Sequence, residues 1–342
     1  MPERAPRRNL QRVLAACTGG DAAVIVRSVQ AMGLEVIAAF DESSADAPWV
    51  AGADWDAPLL ARDADDDPWS DPQRLVSAAL DAGADALHPG AGSTAASAPL
   101  ARLTTASGLA WLGVQAELLE TWATAVPAAA AATGIGLRTP EDGRPPTDSG
   151  VRVGVLGDGQ GAILLGQQRL LTAGLAEVGP CPEPLARAAI TLAVALRLRG
   201  LASFDLQAEA GGRVILQGAH PSLSGWFMFD EALGADLVAA QIQLASGEAL
   251  CWETERPEVR PTVAAVVRSV ADCEWVDPGP LDGATCLAAS GPVARSTPLL
   301  LIARSAPTLL AARVQLGEAL RACPLPHTNA PALRARLFSD PA

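Results

Sequence analysis

The chain has no lysine and no tyrosine in 342 residues, and its asparagines are confined to Asn9 and Asn329. All 25 basic side chains are therefore arginine, a trend that a genome-wide compositional bias accounts for by itself. Long apolar runs are missing too. None approaches the ~18 residues of a membrane span. Met1 to Arg12 is basic but leads into the small-residue stretch Val13 to Gly20 rather than a secretory apolar core. These features predict a cytoplasmic protein with no membrane partner. Positive charge is scarce as well: a formal net charge of −13 argues against a nucleic-acid partner, which requires a concentrated basic surface. The six cysteines (Cys17, Cys181, Cys251, Cys273, Cys286, Cys323) form no CxxC pair and have no histidine at ligand spacing. Neither a zinc site nor a disulfide framework is indicated, and reduced thiols, some of them buried, are expected. Only His88, His220 and His327 offer imidazoles, and they lie far apart in sequence.

What is present is ample apolar material, 49% of residues, enough for two or three compact modules. The first reads as alternating strands and helices: strand Arg12 to Ala16, turn Gly19-Gly20-Asp21, helix Ala22 to Met32 ended at Gly33, and strand Leu34 to Phe40. Such a βαβ unit implies a parallel sheet. A helix from Pro72 to Ala82, strand Ala86 to His88, the turn Pro89 to Gly92, a helix through Leu100 to Ser107 and strand Leu109 to Leu112 continue it, and the module closes near Val126. Periodicity fades through the alanine run Ala128 to Ala132 and the loop Pro140 to Pro146, which reads as a helix end followed by a linker.

A second module begins where Val151, Val153 and Val155 alternate into the turn Gly157 to Gly161, with a return strand Ala162 to Leu165. A helix over Glu183 to Leu198, strands Ala202 to Ala208 and Arg213 to Gln217, and a helix over Ala235 to Ala245 follow. A third stretch has strands Val263 to Val270 and Leu299 to Ala303, a helix Thr308 to Arg321, and a tail with a polar turn and a short helix. No internal repeat is apparent.

The segment Gly83 to Gly92, GADALHPGAG, resembles the GADAIHPGYG strand-turn of biotin carboxylases, the ATP-grasp component of acyl-CoA, propionyl-CoA and pyruvate carboxylases. Other pieces agree in order along the chain. Cys17 to Arg27 resembles NRGEIAVRIIR, Trp111 to Gly113 resembles FIGP, Leu156 to Gly161 resembles LADGQG, and Ser203 to Leu206 resembles TFEFL. Gly234 to Val238 resembles GVDLI, Leu244 to Leu250 resembles IAAGQPL, and Pro326 to Asn329 resembles the closing IKTN turn. The resemblance implies an α/β fold in three parts: a Rossmann-like pre-ATP-grasp domain (1–126), an ATP-grasp-like core (151–250) and a C-terminal α+β domain (251–342). Residues 127–150 form a linker where the family carries its mobile lid with the glycine-rich phosphate loop.

The same resemblance maps the family's site onto this chain. Two glutamates that hold the metal ions bridging ATP phosphates fall at Asp205 and Gln217, and the next anchor, an asparagine, at Ala219. The arginine that stabilises enolised biotin falls at Pro221 and the glutamate base at Gly225. The lysine before the lid falls at Ala125, a histidine at Gly150, and the Gln-His-Lys cluster is deleted around Gln167 to Gly174. Drift away from lysine predicts arginine at vacated sites and leaves glutamate untouched; alanine, glycine, glutamine and proline stand there instead. This pattern indicates relaxed constraint on catalysis. Asp205 is the one residual metal candidate, ATP and Mg2+ are doubtful, and no cofactor is expected.

His88 reads as a structural part of its tight turn, with acid/base chemistry the alternative. Trp226 to Phe229 reads as a ligand box, a partner-facing patch or buried core. The expected function is that of an inactive biotin-carboxylase-like subunit, structural or regulatory, assembling with a carboxyltransferase, a biotin carboxyl carrier or an active biotin carboxylase; a homodimer through the third module is a further possibility. The alternatives are a nucleotide- or acyl-CoA-binding protein without turnover, and an enzyme of altered chemistry around Asp205, His220 and Glu231.

Overall fold

The computed structural model describes residues 8–63, 65–138, 150–172, 174–209, 211–248, 258–275, 284–288, 291–322 and 327–338. The first part of the chain alternates strands and helices: β1 (Arg12–Ala15), α1 (Gly19–Ala31), β2 (Glu35–Phe40), α2 (Pro48–Ala51), β3 (Trp55–Pro58), α3 (Pro72–Asp81), β4 (Ala86–His88), α4 (Ala98–Ala106), β5 (Ala110–Trp111) and α5 (Ala116–Ala132). Its five strands are parallel in the order β3-β2-β1-β4-β5, the Rossmann-like arrangement that the alternating pattern implies. Local chemistry sets the helix starts. Asp71 accepts hydrogen bonds from the backbone N–H of Gln73 and Arg74, with Pro72 in the first turn of α3.

Several boundaries differ from the sequence reading, among them the return strand after Gly161, which runs on to Thr172, and the helix from Glu183, which ends at Ala195; two others have a clear physical cause. The Gly19-Gly20-Asp21 turn is the first turn of α1. The lack of a side chain at Gly20 lets it lie against Leu301, whose Cδ1 is 2.7 Å from where a Cβ would stand. Helix α5 also continues through Pro127 to Ala132. Pro127 is solvent-exposed, the alanines after it are the best helix formers, and Val126, Ala129 and Ala130 are buried, so packing and propensity outweigh the lost N–H. Of the sequence-assigned linker, 139–149 lies outside the described residues.

The rest of the chain builds one larger sheet. It comprises β6 (Gly136–Leu137), β7 (Val151–Asp158), β8 (Ala162–Thr172), β9 (Leu175–Gly179), α6 (Glu183–Ala195), β10 (Arg199–Ala208), β11 (Val214–His220), α7 (Trp226–Leu233), α8 (Leu237–Ala245), β12 (Thr262–Arg268), β13 (Cys273–Trp275), β14 (Ala284–Cys286), β15 (Gly291–Val293), β16 (Pro298–Ser305), α9 (Leu309–Ala322) and α10 (Ala330–Arg336). Nine strands run in the order β14-β16-β12-β9-β8-β7-β10-β11-β6, while β13 and β15 pair separately. The second and third sequence modules therefore share a sheet, joined where β12 pairs antiparallel with β9. A buried ion pair reinforces the seam: Arg313 on α9 donates from Nε to Glu177 on β9 at 2.7 Å, and Arg169 reaches the other carboxylate oxygen at 3.0 Å.

The aromatic run at 226–229 forms α7. Trp226, Met228 and Phe229 are buried, so it is chiefly core; each such side chain contributes roughly 1.5–3 kcal/mol of transfer free energy.

Candidate functional site

In the ladder of the larger sheet, Asp205 on β10 lies directly opposite Arg152 on β7 and Gly218 on β11. His220 is two residues beyond Gly218, on the same face by strand alternation. Three adjacent strands thus place three charged or polar side chains together. Arg152 donates from Nε to Asp205 Oδ1 at 2.8 Å and from Nη2 to Oδ2 at 3.1 Å. His220 Nε2 stands 2.8 Å from Oδ2 and 3.1 Å from Arg152 Nη2. Burial would raise the Asp205 carboxyl, but the hydrogen bonds and charges of His220 and Arg152 outweigh it and hold the group well below the carboxylate range. Both Asp205 oxygens are committed.

Gln217 sits where the β10–β11 register shifts between Asp205 and Leu206, and this bulge turns it to the same side, where its amide donates to Gln207 Oε1. A Cβ at Gly150 would lie 2.5 Å from Gln217 Oε1, so Gln217 fills the space a side chain at 150 would need. Ala219 packs in the apolar cluster with Trp122, whose indole N–H reaches the Ala219 carbonyl at 3.2 Å. Ala125 contributes a half-buried methyl to that cluster from α5. Pro221 belongs to the turn after β11, where Ser222 Oγ donates to the Ala91 carbonyl at 3.1 Å. Gly225 is the N-cap of α7 at φ +72°, a left-handed conformation that favours glycine.

A hard divalent cation requires several oxygen ligands, usually more than one carboxylate. Here the single carboxylate is neutralised by a guanidinium, and among the described residues no group of three or more His, Cys, Asp or Glu side chains is placed to hold a metal ion. This donor set does not fit the metal that the family resemblance implies. Of the residues grouped from sequence as a residual cleft, the fold unites Asp205 with His220. Glu231 lies elsewhere, accepting from Ser305 N–H and Oγ at 3.2 and 2.8 Å. Arg152 escaped the sequence reading; the signal available for it was its place between Val151 and Val153 in an alternating strand.

His88 stands apart from this cluster and is fully buried. Its Nδ1 accepts the Gly90 N–H at 3.1 Å, which leaves Nε2 to donate to Gln241 Oε1 at 3.3 Å, and Gln241 donates in turn to the Leu112 carbonyl. Trp226 packs edge-on at 5.1 Å between centroids. Burial drives the His88 pKa down to about 3, against the opposing Gln241 bond, so the imidazole is neutral and clasps the turn to α8. Beside it, at the point where strand order reverses between β1 and β4, the ligand crevice typical of such sheets is crowded by protein. A Cβ at Gly90 would stand 2.6 Å from Cys17 Cβ, and Asp21 accepts the Ala91 N–H at 3.0 Å.

Comparison with known proteins agrees with this architecture. Residues 9–119 match the family described as biotin carboxylase, N-terminal domain. The alpha subunit of mitochondrial methylcrotonoyl-CoA carboxylase from Glycine max is 30% identical over 114 residues, which make up 33% of this chain and 16% of the plant protein. The match thus spans about a sixth of that relative. The biotin carboxylase domain of a single-chain bacterial carboxylase superposes with a TM-score of 0.81 at 23% identity, over 96% of this chain and 93% of that one. The multifunctional pyruvate carboxylase of Rhizobium etli gives 0.79 at 18% identity, over 98% of this chain and 35% of the enzyme. The urea carboxylase of Kluyveromyces lactis gives 0.78 at 17%, over 97% and 31%. At these identities the structural likeness establishes the fold alone.

Proposed function

We propose, for a chain whose N-terminal domain is that of the biotin carboxylase family and whose described length carries the biotin carboxylase fold, a non-catalytic role in a biotin-dependent carboxylase assembly. In this reading it is a structural or regulatory subunit that docks a carboxyltransferase, a biotin carrier or an active biotin carboxylase. The observation that carries the proposal is the state of Asp205. The carboxylate at the family's metal position is held by Arg152 and His220 through both oxygens, and no second carboxylate joins it among the described residues. Phosphoryl transfer from ATP depends on metal ions bridging the phosphates, and a guanidinium in the ligand position opposes the cation by charge and by space.

Three further positions support the reading. The base position is Gly225, with no proton acceptor in its side chain and a left-handed backbone that disfavours glutamate. The second metal position, Gln217, is uncharged and spent on Gln207. The arginine position is Pro221. The relatives named above include a carboxylase subunit, the biotin carboxylase domain of a single-chain carboxylase and a complete multifunctional carboxylase, which makes partners of that kind the natural ones to test.

The experiment has two arms. Co-expression with a biotin carrier and a carboxyltransferase is expected to give a stable complex on affinity capture and gel filtration, while calorimetric titration with Mg-ATP at millimolar concentration gives no heat. A chain that ignores both partners and stays alone defeats the proposal. Saturable Mg-ATP heat with nucleotide turnover would assign it an enzyme of altered chemistry instead.

A further inference from the structure

A cleft of about 500 Å3 lies where the end of the first sheet meets the start of β10 and the C-terminal end of α8. It is remote from Asp205: Arg199 at its rim begins the strand on which Asp205 is six residues on, roughly 20 Å away at strand rise. We infer that this cleft binds a small organic anion, a carboxylate or phosphate head group on a short apolar body.

The charge distribution points to the head group. Three arginines, Arg8, Arg102 and Arg199, line the cleft in a chain whose net charge is −13; Glu120 already pairs with Arg102 and Glu117 stands on the wall, so Arg8 and Arg199 supply the unpaired positive charge. Each guanidinium is anchored by protein and has donors to spare, since the group carries five N–H bonds. Arg199 Nη2 donates to the Leu244 carbonyl at 2.8 Å, and Arg8 Nη1 to the Gly108 carbonyl at 3.3 Å. Arg102 donates from Nε and Nη2 to a single oxygen of Glu120. Among the described residues no carboxylate pairs with Arg8 or Arg199. Anchored guanidinium forks with donors to spare are the usual means of holding carboxylate or phosphate oxygens.

The walls point to the body. Leu109, Leu112, Leu244 and the ring of Trp111 supply apolar surface, and the volume falls in the range of small-molecule sites. The cleft also lies between elements of the two sheets. Its walls come from α4, β5 and α5 on one side and from β10 and α8 on the other, and Gln241, which bridges His88 to the Leu112 carbonyl, forms part of it. An occupant would brace that junction, so binding is read as stabilisation of the intact chain.

The probes are hexanoate, hexyl phosphate, inorganic phosphate and 1-hexanol, titrated calorimetrically into the full chain at low ionic strength with thermal unfolding measured in parallel. Hexanoate or hexyl phosphate is expected to bind at one site and raise the melting temperature, with the tighter of the two identifying the head group. 1-Hexanol and inorganic phosphate should bind at least about tenfold more weakly, each lacking one half of the recognition. Loss of a charge-assisted contact in Arg199→Gln or Arg102→Gln should weaken the anion at least about fivefold, and 0.5 M salt should weaken it further. Arg199 also caps α8, so its variant is checked for folding by circular dichroism. Arg102 has a largely exposed side chain, at 62%, and keeps the test decisive if Arg199→Gln misfolds. The inference is overturned if neither anion binds, if 1-hexanol matches hexanoate, or if the folded variants bind unchanged. These outcomes are independent of the subunit-capture experiment.

Discussion

Replacing His88 by glutamine is expected to turn a nearly flat response of stability to acid between about pH 4 and 6.5 into one that rises on acidification. The native imidazole titrates near 3 rather than at its ordinary 6.5 because it is buried. Throughout that window the unfolded chain binds a proton at this position that the native state does not. Stability therefore falls on acidification by about 1.4 kcal/mol per pH unit, or about 3 kcal/mol over two units. Asp230 works in the opposite direction. Burial, reinforced by the charge of Asp236, raises its pKa from 3.8 to about 8 against the Leu237 N–H bond it accepts. Its native form keeps a proton that the unfolded chain has released. That contribution is present at low pH and is lost as pH rises through 8; Asp230 retains some exposure, so 1.4 kcal/mol per unit is its upper limit.

In the unaltered protein the two slopes offset each other. His88→Gln leaves the two carboxyls that burial raises, Asp230 and Asp21, so stability should rise as pH falls from 6.5 to 4.5; Asp230→Asn should make it fall, by at most about 1.4 kcal/mol per unit because Asp21 still opposes His88. The assay is urea unfolding at pH 4.5, 5.5 and 6.5, followed by tryptophan fluorescence and converted to free energy through the midpoint and slope. Parallel pH profiles for all three proteins would refute the reasoning, whatever their absolute stabilities.

Two other substitutions test how the fold is held. Glu177→Ala removes the buried carboxylate that Arg313 and Arg169 share at the junction of β9 and α9, and should cost roughly 3–5 kcal/mol in denaturant unfolding, whereas Glu120→Ala, which removes an exposed pair, should cost under about 1 kcal/mol. Equal costs would show that the buried pair does not secure that seam. Gly225→Glu restores the family's base residue in type only; with φ at +72° it should destabilise the protein by about 1–2 kcal/mol and yield no bicarbonate-dependent ATPase, and the appearance of that activity would contradict the non-catalytic reading.

Much of this molecule was legible as a line of residues. The βαβ alternation from Arg12 to Phe40 and the strand-turn at Ala86 to Gly92 dictated the parallel first sheet, because hydrophobic period and glycine-marked turns are local properties. The replacements at 217, 219, 221 and 225 were equally plain, since residue type decides whether a side chain can ligate a metal or take a proton. Tertiary structure decided what the sequence left open. It set Arg152 against Asp205 across 53 residues, and converted the one candidate metal ligand into half of an ion pair. It merged the second and third modules through β12 and β9, and buried the aromatic run of α7 in the core. It also gathered Arg8, Arg102 and Arg199 around one cleft. Strand pairing and charge proximity depend on residues far apart in the chain, and periodicity carries no information about which distant strand a given strand will meet.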